Sequence, residues 1–200
     1  MIKKMSDKQR EKRNQIFQAA TELFSFQGFY DTTISQIAKA SGVSFGTVFT
    51  YFETKEELFK AVTTEPLEEF KKLYTDYLIT EDWSLEVIET IVEKHILYFA
   101  HKRMYLHLIQ QVLGQTERFS ELFGILDKTA DDFRLALIPL ITKGQQLGLF
   151  EEEDSDIVAR SYFSFLIGMR LTHTDDSDSP VWLLFKPILL RILGYRKGRV

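Results

Sequence analysis

The sequence predicts an all-α protein in which a small N-terminal domain precedes a larger helical one. Apolar residues recur at the spacing of an α-helix along most of the chain. No stretch alternates between apolar and polar residues as a half-buried strand does. Only four prolines and ten glycines occur among the 200 residues, so few positions break a helix. We expect about nine helices, of which the first three form a helix-turn-helix unit.

The first helix is predicted over about residues 7–26, where apolar residues three and four positions apart share one face. Ser6 or Asp7 can cap its start. Gly28 fits the position just past its end, where a left-handed backbone conformation is common.

Two short helices follow, joined by a tight turn. Thr33 and Gln36 have the spacing of a capping box, which begins the second helix. Gly42 lies in the turn, since glycine readily takes a positive φ. Ser44 can then cap a third helix over about residues 45–51.

A longer helix begins at a second capping box, formed by Thr54 and Glu57. Pro66 should kink or restart this helix, because proline lacks an N–H and clashes with the preceding turn. We place the domain boundary at the capping box. Residues 1–53 then form the helix-turn-helix domain, and residues 54–200 form the larger helical domain.

Five further helical stretches are predicted beyond residue 80, and the third of them should break near Gly124. The acidic run at 151–156 precedes a helix, where the positive end of the helix dipole favours acidic residues. This run lacks the spaced oxygen ligands and the turn glycine of a calcium loop. The predicted stretches are about 83–101, 103–113, 117–147, 155–172 and 180–194.

Composition and motifs argue against several classes of protein. Without cysteine, the chain has no disulfide, thiolate metal site or thiol nucleophile. His95, His101 and His107 recur every six residues and so do not share a helix face, and we predict no metal site and no cofactor. The sequence has no G-x-S-x-G elbow and no phosphate-binding glycine loop, so no catalytic residue is assigned.

No apolar run approaches the roughly 18 residues of a membrane span, and no secretory signal is recognisable, so a cytoplasmic location is expected.

Charge is unevenly distributed along the chain. The formal net charge is −4, but residues 1–55 carry +3 and the remainder carries −7. A polyanion would be attracted to the first quarter of the chain and repelled by the rest. A basic terminal arm without a binding role is the alternative that charge alone leaves open.

The third helix has the side chains of a helix that reads DNA. A helix in the major groove uses short polar groups at base edges, methyl groups against thymine, and a close approach to the bases. Glycine inside so short a helix costs roughly 1 kcal/mol relative to alanine, and either close approach to another surface or a tight packing contact would explain Gly46. Two helices joined by a turn can also be a packing unit alone. The outward residues, none of them negative, are Ser44, Phe45, Gly46, Thr47, Thr50 and Tyr51.

Phosphate contacts are expected beside this helix. Thr33 and Thr54 each begin a helix, where free N–H groups and the dipole favour an anion. Lys55 adds a full positive charge at the second of these positions. Lys39 and the basic segment 8–13 can add salt-dependent affinity that is independent of sequence.

Residues 14–62 combine four motifs in the sequence NQIFQAATELFSFQGFYDTTISQIAKASGVSFGTVFTYFETKEELFKAV. They are an AAxxLF helix, a G-F/Y-xx-T-T segment, an IAxxxGVSxGTxFxYF reader and the K-E-E-L that begins the next helix. This stretch resembles the DNA-binding domain of the tetracycline-repressor (TetR) family of bacterial transcription regulators. The set of motifs is far more specific than a generic helix-turn-helix.

The resemblance implies a homodimer that binds a double-stranded DNA operator through residues 1–53. It also implies that a small molecule bound within residues 54–200 causes release. The family usually has tyrosine where Phe49 stands, so one phosphate-bonding hydroxyl is missing; it often has an aromatic residue at the position of Thr50 and histidine at that of Tyr51. By position, the implied DNA-facing residues are Thr33, Ser44, Gly46, Thr47, Phe49, Thr50, Tyr51 and Lys55, and the reader pattern adds Phe45.

The last two helices are the most apolar, and the resemblance implies that they pair with their symmetry mates in a four-helix bundle. A two-fold dimer suits a palindromic site, with one reader for each half-site. The alternative is that both helices belong to the core of a monomer. The expected interface residues are Phe165, Met169, Trp182, Phe185 and Leu189.

Aromatic residues are concentrated at 98–133 and 162–165. A pocket for a small hydrophobic ligand would be lined in this way. Aromatic residues at helical spacing are more often ordinary core, which is the alternative for any one of them. The expected ligand site comprises Tyr98, Phe99, Met104, Tyr105, His107, Phe119, Phe123, Phe133 and Phe163.

A ligand-responsive transcriptional repressor is the favoured hypothesis. The ligand would prefer a state in which the two readers are misplaced for successive major grooves, and so would weaken DNA binding. A small helical carrier or enzyme that does not bind DNA is the alternative from another class. A regulator that uses no ligand, or one controlled by a protein partner, is a third hypothesis that the sequence does not separate from the first.

Overall fold

The computed structural model describes residues 5–75 and 83–195. These residues form ten α-helices and one 3-10 helix, and no strand occurs among them. The all-α prediction is confirmed. The α-helices are α1 (Asp7–Asp31), α2 (Ile34–Ala40), α3 (Phe45–Tyr51), α4 (Lys55–Thr64), α5 (Leu67–Thr75), α6 (Leu85–Ala100), α7 (Arg103–Leu113), α8 (Ser120–Gln146), α9 (Ser155–Thr172) and α10 (Lys186–Ile192), and the 3-10 helix spans Pro180–Phe185.

Side-chain caps begin the helices of the N-terminal segment at the predicted residues. Thr33 forms the full capping box of α2, and Ser44 caps α3. Thr54 caps α4 by accepting from the N–H of Glu57 at 3.0 Å. The second half of this predicted capping box is wrong, because the carboxylate of Glu57 accepts from the N–H of Glu53 instead, at 2.6 Å.

Helix α1 is capped by Ser6 and continues five residues beyond its predicted end, across a kink at Gly28. Gly28 has φ +84° and ψ 167°, so the N–H of Phe29 is turned away from the carbonyl four residues earlier. The side chain of Gln111 in α7 accepts from this N–H at 2.9 Å and donates to the carbonyl of Phe24 at 2.7 Å. One carboxamide therefore fastens α7 to both sides of the kink.

The predicted break of α8 near Gly124 is wrong, because the helix is continuous from Ser120 to Gln146. A single exposed glycine costs a helix only about 1 kcal/mol. The buried residues Leu122, Leu126 and Phe133 keep the apolar stripe in register across it. Packing of this stripe outweighs the cost of the glycine.

The chain divides into two compact units. The first unit comprises Met1–Pro66 and Met104–Leu126, and the second comprises Leu67–Arg103 and Asp127–Val200. Helix α4 belongs to the first unit because it packs on α1, where the rings of Phe24 and Phe59 lie 5.2 Å apart. The predicted boundary between residues 53 and 54 separates a DNA-binding domain from a ligand-binding and dimerisation domain. It stays a prediction, because the two units are defined by compactness and not by what they bind. No helix among the described residues is long and apolar enough to cross a membrane.

Four phenylalanine rings pack together in the core of the first unit. Phe29 contacts Phe59 at 5.0 Å and Phe119 at 5.5 Å, and Phe24 joins them from α1. The hydroxyl of Tyr105 in α7 donates to a backbone carbonyl of α4 at 2.8 Å. Helix α7 and the start of α8 thus pack with α1 and α4 in one unit.

Candidate nucleic-acid interface

All nine residues predicted to face DNA lie in the first unit, and none is buried. Six are exposed, and Thr47, Tyr51 and Lys55 are half-buried. On the opposite side of α3, Val48 and Phe52 are buried in the core. This pair, four residues apart, fixes which face of the helix points outward.

Gly46 lies on the outward face, at the second residue of α3. A Cβ atom added there would meet no atom of the chain within 4 Å. A tight packing contact within the chain therefore does not account for this glycine. Close approach to a surface outside the chain stays the prediction for this residue.

The largest exposed side chains of α3 are Phe45 and Phe49. They are 53% and 39% exposed, and their rings lie 5.1 Å apart at 65° to each other. Each residue was predicted separately to face DNA, and their pairing was not predicted. Their spacing of four residues, which brings two side chains together on a helix, was the available signal.

The hydroxyl groups of Ser44, Thr47 and Thr50 have partners within the helix. The Ser44 hydroxyl accepts from the N–H of Thr47 at 3.2 Å, and its oxygen lies 2.7 Å from the Thr47 hydroxyl. The Thr50 hydroxyl donates to the carbonyl of Gly46 at 3.2 Å. These bonds hold the short helix together and leave few hydroxyl hydrogens for another molecule.

Lys55 is held against its own unit. Its ammonium group donates to the carbonyl of Tyr30 at 3.3 Å and lies 4.5 Å from the ring centroid of Phe29. Burial lowers the pKa of Lys55, the nearby Arg118 lowers it further, and neighbouring acidic residues oppose them. The carboxylate of Glu57 already occupies the start of α4. The phosphate contact assigned to Lys55 stays a prediction.

A second cation near this position was missed by the sequence analysis. Arg118 is exposed, and its guanidinium lies 4.7 Å from the ring centroid of Tyr30 and 5.3 Å from that of Phe29. No local pattern pointed to it, because nearly ninety residues separate it from these rings.

Within the predicted basic segment, Arg13 pairs with Glu65, whereas Lys8 is exposed.

Comparison with known proteins identifies the family. The family model described as "Bacterial regulatory proteins, tetR family" matches residues 16–62. The uncharacterized HTH-type transcriptional regulator TtgW of Pseudomonas putida is 32% identical over 96 residues, which cover 48% of this chain and 72% of that protein. The chain belongs to the TetR family. It is a DNA-binding transcriptional regulator, as the resemblance of residues 14–62 predicted.

Two further comparisons cover most of the chain. The fatty acid metabolism regulator protein of Bacillus subtilis is 26% identical over 143 residues, which cover 72% of this chain and 73% of that protein. The solved structure of the fatty acid degradation regulator FadR from Bacillus halodurans aligns with a TM-score of 0.69 at 22% identity. That alignment covers 97% of this chain and all of the other, and it supports the fold.

The nine predicted ligand-site residues of this TetR-family protein are divided between the two units. The structure brings four of them together in the second unit, around Phe70 of α5. The rings of Phe133 and Phe163 lie 5.0 Å apart, and Phe70 is 5.1 Å from Phe133. The four are Tyr98, Phe99, Phe133 and Phe163, whereas Met104, Tyr105, His107, Phe119 and Phe123 belong to the first unit. Phe70 and Tyr74, which the sequence analysis missed, complete this aromatic cluster.

Polar groups are embedded in the aromatic cluster. The Nδ1 atom of His95 lies 2.9 Å from the hydroxyl of Tyr162, and burial lowers the pKa of His95 to about 3. The hydroxyl of Tyr98 is buried and has no hydrogen-bond partner among the described residues, and burial raises its pKa. Tyr98 also lines a surface depression of about 410 Å³ together with Leu97 and Lys102.

Within residues 5–75 and 83–195, no group of histidine and acidic side chains is arranged to hold a metal ion.

Three of the five residues predicted for the dimer interface are buried by their own chain. Met169, Trp182 and Leu189 have at most 4% of their surface exposed, so they offer no contact area to a partner and this part of the prediction needs correction. Their burial follows from packing of α9, α10 and the 3-10 helix within the second unit. Phe165 and Phe185 are half-buried, with ring centroids 5.9 Å apart, and stay candidates.

Proposed function

We propose that this TetR-family regulator is a homodimeric repressor that leaves a palindromic operator when a small hydrophobic ligand binds the second unit. The observation that carries the DNA-reading part is the outward face of α3. It is capped, exposed and free of negative side chains, and it includes a glycine with open space around it. Each copy of α3 would read one half-site.

The test of DNA reading uses the full-length protein and duplexes that it selects from a random pool. We expect sequence-selective binding that weakens at least about tenfold between roughly 50 and 200 mM salt, because phosphate contacts release counterions. A matched duplex with scrambled half-sites should bind more weakly and with a similar salt dependence. Equal binding to both duplexes at every salt concentration would contradict the proposal.

The aromatic cluster of the second unit supports the ligand part of the proposal. Phe70, Phe133 and Phe163 supply apolar surface, and the Tyr98 hydroxyl is a buried polar group that a ligand could satisfy. Two relatives are named for the regulation of fatty acid metabolism and degradation, which agrees with a hydrophobic ligand. A compound that raises the melting temperature and releases DNA would support this part; stabilisation without release would favour a ligand-independent regulator.

Exposed apolar side chains near the C-terminus support the dimer. Leu184 is 72% exposed, and Ile157 and Ile188 are also exposed within a single chain. They lie on α9, on α10 and on the 3-10 helix that precedes α10. Exposed apolar residues concentrated on neighbouring elements are typical of an interface with a second copy.

Replacing Leu184 by glutamate should convert the dimer to a folded monomer, because a charge would then be buried in the interface. The fold should persist, since most of this side chain is in solvent within one chain. Sedimentation velocity measures the oligomeric state, and operator affinity should fall about 100-fold or more because one reader is lost from each complex. Leu135→Glu, at an exposed leucine of α8, is the matched control and should remain dimeric. A dimeric Leu184→Glu protein would contradict this interface.

No enzymatic activity is part of this proposal. The relatives are transcription regulators, and the alternative of a carrier or an enzyme has no support from a catalytic arrangement in the described residues. A bacterial regulator that binds an operator acts where the DNA is. We therefore propose that this protein acts in the cytoplasm.

A further inference from the structure

The reader helix lacks the side chains that recognise guanine or adenine through paired hydrogen bonds. Between Val43 and Phe52 the sequence has no arginine, lysine, asparagine, glutamine, aspartate or glutamate. Bidentate contacts to purines and carboxylate contacts to cytosine need these residue types. Recognition by α3 must therefore use hydroxyl groups or apolar contacts.

The hydroxyl groups of Ser44, Thr47 and Thr50 are weak discriminators, and Tyr51, the other hydroxyl-bearing residue of α3, is half-buried. A hydroxyl has one hydrogen to donate, and serine and threonine contact several bases equally well. The hydrogen of Thr50 is used on the carbonyl of Gly46. Ser44 and Thr47 share one hydrogen bond, so one of their two hydrogens is used as well. Only one of these three hydrogens remains for a base.

The apolar pair is what α3 presents most prominently. Phe45 is the first residue of the helix, the end that contacts base edges in a helix-turn-helix protein. The ring of Phe49 stands at 65° to that of Phe45 and supports it from one side. Gly46 follows Phe45 directly and leaves room for the helix to approach the groove. The apolar group on a major-groove base edge in ordinary DNA is the C5-methyl of thymine.

We propose that Phe45 reads thymine methyl groups in the major groove, with Phe49 as the residue that positions its ring. The operator half-sites would then present thymine where α3 begins. This inference rests on the proposed binding of operator DNA through α3 and adds the chemical basis of its specificity.

The test replaces thymine by deoxyuridine at single positions in the duplex that the full-length protein selects. Uracil has the hydrogen-bonding pattern of thymine and lacks only the methyl group. We expect affinity to fall about fourfold for each contacted methyl group removed, the effect of withdrawing one buried carbon from an apolar contact. Substitutions outside the half-sites should have no effect.

Variants assign the effect to Phe45. Phe45→Ala should bind the thymine and uracil duplexes with equal affinity, whereas Phe45→Leu should keep part of the discrimination. Both should fold, because half of this side chain is in solvent. Phe26→Ala, at an exposed phenylalanine of α1, is the matched control and should discriminate as the native protein does.

The outcomes separate this inference from the proposed function. Native protein that prefers its selected duplex but binds thymine and uracil forms equally would overturn thymine reading and leave operator binding intact. Discrimination that survives in Phe45→Ala would overturn the assignment to Phe45. No preference for any duplex would overturn the proposed function itself.

Discussion

Replacing Gln111 by leucine should lower the free energy of unfolding by about 2–4 kcal/mol, because two partly buried backbone groups lose their partner. The carboxamide donates to the carbonyl of Phe24 at 2.7 Å and accepts from the N–H of Phe29 at 2.9 Å. Leucine has a similar size and makes neither bond. Urea unfolding of the full-length protein measures the change, and an unaltered m value would confirm that the native state alone is affected.

A charged variant tests the same contact by pH. In Gln111→Glu the carboxyl group can make both hydrogen bonds only while protonated, since the ionised group would face the carbonyl oxygen of Phe24. The neutral form is thus favoured in the folded state, and its stabilising contribution is lost as the pH rises. The stability deficit should be large at pH 7 and should shrink as the pH falls toward about 4.3.

Gln110 provides the matched control on the same helix, because it is exposed. Gln110→Leu and Gln110→Glu should each change the free energy of unfolding by less than about 0.5 kcal/mol. If the variants at positions 110 and 111 showed the same stability and the same pH profile, Gln111 would not be the group that fastens the kink.

The sequence was most informative where the signals are local. The caps at Thr33 and Ser44 depend on residues three positions apart, so the bounds of α2 and α3 could be predicted. The kink at Gly28 and the restart after Pro66 follow from the backbone preferences of single residues. Most of the exposed set on α3 followed from the same local periodicity, whereas Phe49 came from the family resemblance.

Contacts between distant segments were not predictable in this way. Gln111 is more than eighty residues from the backbone that it binds, and nothing in its neighbours marks it. Trp182 was predicted to be an interface residue because the last two helices are the most apolar and the resemblance implies that they pair, and only packing reveals which side faces the core. The aromatic residues at 98–133 lie close in sequence but are divided between two units.

Substituting Gly46 by glutamate should abolish sequence-specific DNA binding, with a loss of affinity of at least about 100-fold. The added carboxylate would meet phosphates and base acceptors in the groove, and like charges placed together across an interface cost several kcal/mol. Within the chain the new side chain has open space, so the fold and the dimer should be unaffected. Fluorescence anisotropy with the selected duplex measures affinity, and sedimentation measures the dimer.

Two glycine variants make the result specific. Gly124→Glu places the same charge at another exposed helical glycine with open space, and it should bind DNA as the native protein does. Gly46→Ala should raise stability by up to about 1 kcal/mol, since alanine is the better helix former, while it weakens DNA binding through one added methyl group. Opposite signs for stability and affinity at one residue would show that the glycine serves close approach. Undiminished operator binding by Gly46→Glu would instead place the reader elsewhere on the molecule.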